Sequence, residues 1–356
     1  MFPLFISPEQ AIQDMLEFQK KLGEGLTTLT QLEQFEVGIT PKEAVYHEDK
    51  LTLYRYKPMV DNPNPTPILI VYALVNRPYM LDLQPNRSLI KNLLSQGQDV
   101  YLIDWGYPDG ADRYLTLADY VNGYIHRSVK AVCKRHGIDK INVLGVCQGG
   151  ALSLSYSAIH PERVNSLITM VTPVDFHTPD NLLSHWVNKL DVDLLVDTLG
   201  NIPGELLNWT FLSMKPFRLT GQKYLDMLDN LADSGAAANF LRMEKWIFDS
   251  PDQAGEAFRE FIKQYFQNNG LIKGKVCIGE HPVDLKNVTM PVLNIYASDD
   301  HLVPPSASKV LGRFIGTEDY TEVVFKGGHI GIYVSGRAQK QVPTAITEWL
   351  DQLSSR

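Results

Sequence analysis

Along the chain the spacing of apolar positions changes in a regular order. From about Ser7 to Leu32 they recur at helical intervals (Ile12, Met15, Leu16, Phe18, Leu22), with Ser7-Pro8 as a start signal. Leu51 to Tyr56 alternate, as an early antiparallel strand does, and the Pro- and Asn-rich stretch from Pro58 to Pro67 reads as a loop. Ile68-Leu69-Ile70-Val71-Tyr72 is continuously apolar, the pattern of a parallel strand covered on both faces. A helix from about Arg87 to Gln96, a strand from Asp99 to Asp104 and a helix from about Leu117 to His136 follow. Next come a strand over Ile141–Val146, a helix to about Ile159 and a strand from Val164 to Val171. Strand and helix alternating at this spacing predict a mostly parallel sheet with right-handed crossovers and helices on both faces.

The alternation stops after Thr172. From about Asp175 to Thr289 the pattern is helical and aromatic-rich, with Trp186, Trp209, Phe211, Trp246, Phe258, Phe261 and Phe266 among its large side chains. Met290-Pro291 then opens the strand Val292–Ala297, and the rhythm resumes with a helix over Ser306–Phe314, a strand over Thr321–Phe325 and a closing helix over Val342–Leu353. The chain therefore divides into a core built from residues 1–174 and 290–356, and a helical insertion, 175–289, expected to cap the functional end of the sheet.

What lies beneath the insertion point is Gly145-Val146-Cys147-Gln148-Gly149-Gly150, between a buried strand and a helix. G-x-C-x-G is the nucleophile elbow of an α/β-hydrolase, with cysteine where serine usually stands. Gly145 and Gly149 flank the nucleophile because the tight turn leaves no room for a Cβ, and the following helix points its free N–H groups at the sulfur. A glycine turn with a structural cysteine is the alternative for the pentapeptide alone. An elbow also needs an acid and a base on later loops, acid first. Ser298-Asp299-Asp300-His301 follows one strand and Lys326-Gly327-Gly328-His329 the next, so Cys147, Asp300 and His329 stand in the required order. Position alone does not separate Asp299 from Asp300. The oxyanion donors are expected to be the backbone N–H of Gln148 and one from the loop after Tyr72, at Val75 or Asn76. The other histidines (His47, His126, His136, His160, His177, His185, His281) lack partner spacing and read as structural.

Composition adds exclusions. A net charge of −8 without a long basic run argues against nucleic acid as a main partner. The three cysteines form no metal spacing, and their odd count suits a reducing cytoplasm. Met1 to Ile6 is apolar but short and lacks a basic start, so it does not read as a signal peptide, and no apolar run is long enough to span a bilayer. No metal or cofactor is called for.

The Gly145–Gly150 segment resembles the lipase-like box of polyhydroxyalkanoate synthases. Tyr72-Ala73-Leu74-Val75-Asn76-Arg77-Pro78-Tyr79, Asp104-Trp105-Gly106, Asp300-His301-Leu302-Val303-Pro304 and Gly327-Gly328-His329-Ile330-Gly331 are similar to the family's other marks. The short length and the wording Gly328–Tyr333 resemble class III catalytic subunits of PhaC type. The resemblance implies an acyltransferase that polymerises (R)-3-hydroxyacyl-CoA, such as 3-hydroxybutyryl-CoA, releasing CoA through a cysteine thioester. It implies Cys147 as nucleophile, His329 as base and Asp300 as acid, the last proposed in the family to help activate the substrate's 3-hydroxyl. It further implies a companion PhaE-type subunit, a homodimer or hetero-oligomer, and residence on cytoplasmic storage granules. A thioesterase or esterase using the same triad with water is the competing reading.

Overall fold

The computed structural model describes residues 36–214 and 234–355. The helix expected over residues 7–32 lies outside them. Eight strands form one sheet: β1 (Lys42–Glu48), β2 (Leu51–Tyr56), β3 (Ile68–Val71), β4 (Val100–Asp104), β5 (Ile141–Val146), β6 (Val164–Met170), β7 (Val292–Ala297) and β8 (Tyr320–Phe325). Their order across the sheet is β1-β2-β4-β3-β5-β6-β7-β8, antiparallel up to the β2–β4 pair and parallel from there on. Order reverses between β3 and β5, the kind of switch point where open α/β sheets place their sites.

Period-two burial explains the two faces. Leu69, Val71, Val143 and Leu167 join one apolar cluster, while Ile68, Ile70, Leu144 and Ile168 join the other. The first face is covered by α2 (His126–His136) and α3 (Gln148–Ile159), the second by α1 (Leu89–Ser95) and the long closing helix, Ala338–Ser354. Gln148 to Ala158 are all buried, so α3 is central, and two of its serines bond within it: Ser153 and Ser155 donate to the carbonyls of Gly149 and Ala151.

Between β6 and β7 the chain builds α4 (Leu182–Val187), α5 (Val192–Leu199), α6 (Gly204–Ser213), α7 (Ser234–Phe248) and α8 (Gly255–Phe261). Phe258, Phe261, Tyr265 and Phe266 belong to the same apolar cluster as α3, so the later part of this stretch is continuous with the core. The closing helix is α9.

Three expected elements differ in detail. The helix predicted over Ser306–Phe314 is a single turn, Pro305–Ser308, and a separate 3₁₀ turn, Leu311–Arg313. The carbonyls that would continue it are taken by tertiary partners. Ala307 O accepts the N–H groups of Val174 and Asp175, and Ser308 O accepts from Asn294 Nδ2. The expected helix over 117–136 begins as a wide π-type turn, Asp119–Ile125, before α2. Arg87 lies just outside α1, because Ser88 is the N-cap and its hydroxyl accepts the Lys91 N–H at 2.9 Å.

The α1–α9 face carries polar ties as well as apolar packing. Pro343 has no N–H to give the Gln339 carbonyl four residues earlier, and that carbonyl instead accepts from Asn92 Nδ2 at 3.1 Å. Arg87 donates to the Val334 carbonyl at 2.6 Å, at the end of the short helix Gly331–Val334 that follows His329.

Candidate active site

The turn between β5 and α3 fixes its residue types by close approach. A Cβ on Gly149 would stand 2.3 Å from the Val71 carbonyl oxygen, and one on Gly150 would stand 1.8 Å from Thr172 Oγ1 and 2.7 Å from its Cβ. The tip residue, Cys147, takes φ 54° and ψ −121°, a left-handed conformation costly to a residue with a side chain. That strain is held by β5, by α3 and by the Cys147 N–H bond to the Met170 carbonyl at 2.9 Å. Gly150→Ala is expected to destabilise the fold by about 3 kcal/mol, because Thr172 is fully buried and has nowhere to retreat. Urea unfolding measures this, and a loss under about 1 kcal/mol would show that the turn can relax.

Asp300 and His329 leave the ends of β7 and β8, which are paired in register. His329 Nδ1 donates to Asp300 Oδ2 at 2.6 Å. Asp300 Oδ1 accepts the N–H groups of Leu302 and Val303 at 2.9 and 3.0 Å, and its side chain is fully enclosed. Asp299 is exposed, and only its backbone is engaged, donating to the Gly327 carbonyl at 2.8 Å. The choice between neighbours that the sequence left open is thus settled geometrically for pairing with His329.

Burial works against a charged His329 ring, but the Asp300 carboxylate and the Cys147 sulfur, both hydrogen-bonded to it, outweigh burial and push its pKa up to about 10. An unfolded histidine titrates near 6.5. A raised folded value means that this contribution to stability is complete below pH 6.5 and is lost as pH rises toward 10. The stability advantage of wild type over His329→Gln should therefore shrink across that window. Unfolding midpoints of both proteins from pH 6 to 10 test it, and a difference independent of pH would contradict it.

Cys147 and His329 open on a cavity of about 500 Å³. Its wall is mostly aliphatic and aromatic, drawn from α4, α6, α7 and α8, with Tyr72 and Tyr333 beside the cysteine. Among the described residues that line it there is no Asp, Glu, Lys or Arg. Tyr72 and Tyr333 are held neutral far above the usual phenol range, first by burial. Val75, Asn76 and Gln148 also reach the cavity, so the predicted site residues converge on it, with Asp300 one step behind His329. Gln148 is the first residue of α3, so its N–H has no intrahelical acceptor.

Three contributions were not foreseen from sequence. The Gln148 side chain accepts the Leu74 N–H at 3.1 Å, bracing the loop after β3 and removing Leu74 as an oxyanion donor. Trp105 Nε1 donates to the Tyr72 carbonyl at 3.0 Å, and Arg77 pairs with Asp104 at 2.8 Å while donating to Gly106 O. His301, next to the acid, lies on the cavity wall. Arg77, Trp105 and His301 stand in the motif segments quoted above, but their contacts are not readable from spacing. Among the remaining histidines, His126 and His160 stack at 4.4 Å, and His177 bonds to Phe266 O. Among the described residues no His, Cys, Asp and Glu cluster could hold a metal ion.

Residues 66–335 match the family described as alpha/beta hydrolase fold. Rv0554 of Mycobacterium tuberculosis has the same fold, with a TM-score of 0.50 at 16% identity over 85% of this chain and 94% of its own. By fold and elbow the chain is an α/β-hydrolase. Residues 8–93 match the N-terminus of poly-beta-hydroxybutyrate polymerase (PhaC). The poly(3-hydroxyalkanoate) polymerase subunit PhaC of Allochromatium vinosum is 63% identical over 99% of this chain and 100% of its own length, and that of Thiocystis violacea 61% over 99% and 100%. The chain belongs to the poly(3-hydroxyalkanoate) polymerase PhaC family.

Proposed function

We propose that this polymerase works as a class III catalytic subunit, joining (R)-3-hydroxyacyl units from CoA thioesters on Cys147. The observation that carries the reading is a strained cysteine beside a buried His–Asp pair at a large, mostly apolar cavity. The Cys147 thiol gives its proton to His329 Nε2, and the sulfur attacks the substrate's thioester carbonyl. The tetrahedral oxyanion is met by the Gln148 N–H and by an N–H at Val75 or Asn76. Collapse expels the CoA thiolate, which takes the proton from His329, and leaves the acyl group on Cys147. One thioester replaces another, so loading is nearly isoenergetic. In the next step a 3-hydroxyl attacks the Cys147 thioester, losing its proton to His329; the C–S bond breaks, an ester bond forms and the freed Cys147 sulfur is ready for the next unit.

Water would divert that second step, and the apolar wall supports its exclusion. Both Asp300 oxygens are occupied and its side chain is enclosed, which favours a role through His329 over contact with the substrate's hydroxyl. Residues 175–289 act as a cap, supported by the share of the cavity wall that they supply. The mostly apolar wall suits the acyl group, and the CoA phosphates stay outside.

Leu182, Trp186, Leu194, Leu199, Leu206, Trp209 and Phe248 expose apolar surface on α4 to α7, which supports contact with an apolar polymer granule in the cytoplasm. Among the described residues no helix is long and apolar enough to cross a membrane. A PhaE-type companion subunit completes the working complex.

The test is CoA release from (R)-3-hydroxybutyryl-CoA, with and without the companion, while the insoluble product is weighed. Release that tracks polymer supports the reading. Release accompanied only by soluble hydroxy acid would make the chain a thioesterase.

A further inference from the structure

The loop after β3 is held from two sides. On the core side the Gln148 side chain takes the Leu74 N–H. On the other side it is bonded to the inserted helices. Asn76, buried and left-handed at φ 58°, donates through Nδ2 to the carbonyls of Trp246 and Ile247 at 3.2 Å each, and lies 3.4 Å from Asn208 Oδ1. Asn208 of α6 donates to the same Ile247 carbonyl at 2.5 Å. Trp246 Nε1 returns a bond to the Arg77 carbonyl at 2.8 Å. Just past the end of α7, Asp249 accepts the hydroxyls of Tyr79 and Tyr107 at 2.9 and 2.7 Å, and Tyr107 lies against the Arg77 guanidinium.

We infer that Asn76, Asn208 and Asp249 form a polar latch that makes oxyanion stabilisation depend on the seating of α6 and α7. The inference rests on the reading that Cys147 is acylated and that the loop at Val75–Asn76 supplies an oxyanion donor. Asparagine tolerates left-handed backbone better than other side chains do, so the bonds around it select that turn over an extended alternative. Here the enforcing bonds come from the insertion. If α6 and α7 lift, Asn76 loses its acceptors, the turn relaxes, and the N–H at Val75 or Asn76 swings from the thioester carbonyl. The Cys147–His329–Asp300 row has no bond to the latch, so nucleophile and base remain in place. Asn76 is thus a positioning residue whose geometry is set from outside the core.

The full-length chain, with its companion subunit, provides the test. Two rates are compared: first-turnover CoA release from (R)-3-hydroxybutyryl-CoA, which needs the oxyanion donors, and alkylation of Cys147 by iodoacetamide, which does not. Asp249→Ala should lower CoA release about 10–100-fold, with little change in KM and with alkylation unchanged or faster. Asp249→Asn keeps polar contacts to both tyrosines and should restore most of the rate. Tyr107→Phe, at a half-exposed site that tolerates the change, should give a smaller loss in the same sense. CoA release within twofold of wild type in Asp249→Ala and Tyr107→Phe would overturn the latch. So would an equal fall in both rates, which signals general distortion of the site. A wild-type enzyme that releases no CoA would instead refute the thioester reading itself.

Discussion

Cys147→Ala is expected to reduce CoA release to less than about 10⁻⁴ of the wild-type rate, with the fold retained. Alanine keeps the Cβ, so the strained turn meets no new contact and β5, α3 and the His329–Asp300 pair stand as before. What disappears is the sulfur proposed to receive the acyl group. Water activated by His329 is the remaining nucleophile, and the apolar wall admits little of it. Intact-protein mass after exposure to (R)-3-hydroxybutyryl-CoA should show an acyl adduct on wild type and none on the variant. An adduct on Cys147→Ala would move the nucleophile elsewhere, with Cys133 and Cys277 the other cysteines to examine.

Asp300→Asn is expected to lower the rate about 10³- to 10⁴-fold through the wrong imidazole tautomer rather than through loss of structure. Two backbone donors, Leu302 N–H and Val303 N–H, point at Oδ1 and hold an oxygen there. The amide nitrogen of the variant must then face His329 Nδ1. Since it donates, Nδ1 becomes the acceptor, and the neutral ring carries its proton on Nε2, where it has no capacity to accept the Cys147 proton. Removal of the carboxylate also withdraws the charge that raises the ring's pKa. Stability should change far less than rate, and the loss should shrink with a leaving group better than CoA. A variant within tenfold of wild type would mean that Asp300 serves the fold more than the chemistry.

Much of this site was legible because α/β sheets write their chemistry at strand ends. Val143-Leu144-Gly145 announces a buried strand and an impending turn, and Gly149 and Gly150 are required by backbone and by Thr172 within touching distance. The expected fold, strand by strand, agrees with the sheet from β2 to β8. Local pattern failed where distant partners decide. Ser306 to Phe314 has helical spacing, but Val174, Asp175 and Asn294 capture the carbonyls at Ala307 and Ser308. Asp299 and Asp300 are indistinguishable until the turn through Leu302 and Val303 points one of them inward. The bonds from Asn76 to Trp246 and Ile247 join residues about 170 positions apart, and no spacing rule reaches that far.

The tie between α1 and α9 bears on how the enzyme tolerates motion. Pro343 surrenders the Gln339 carbonyl to Asn92, and Arg87 grips the chain just downstream of His329. The loop carrying His329 is therefore tied to the far side of the sheet, while the loop at Asn76 is tied to the inserted helices as well as to Gln148. A polymerase must pass a lengthening product without losing register at its base. Two independent moorings let the roof yield to that traffic while the nucleophile and its partner keep their alignment between one addition and the next.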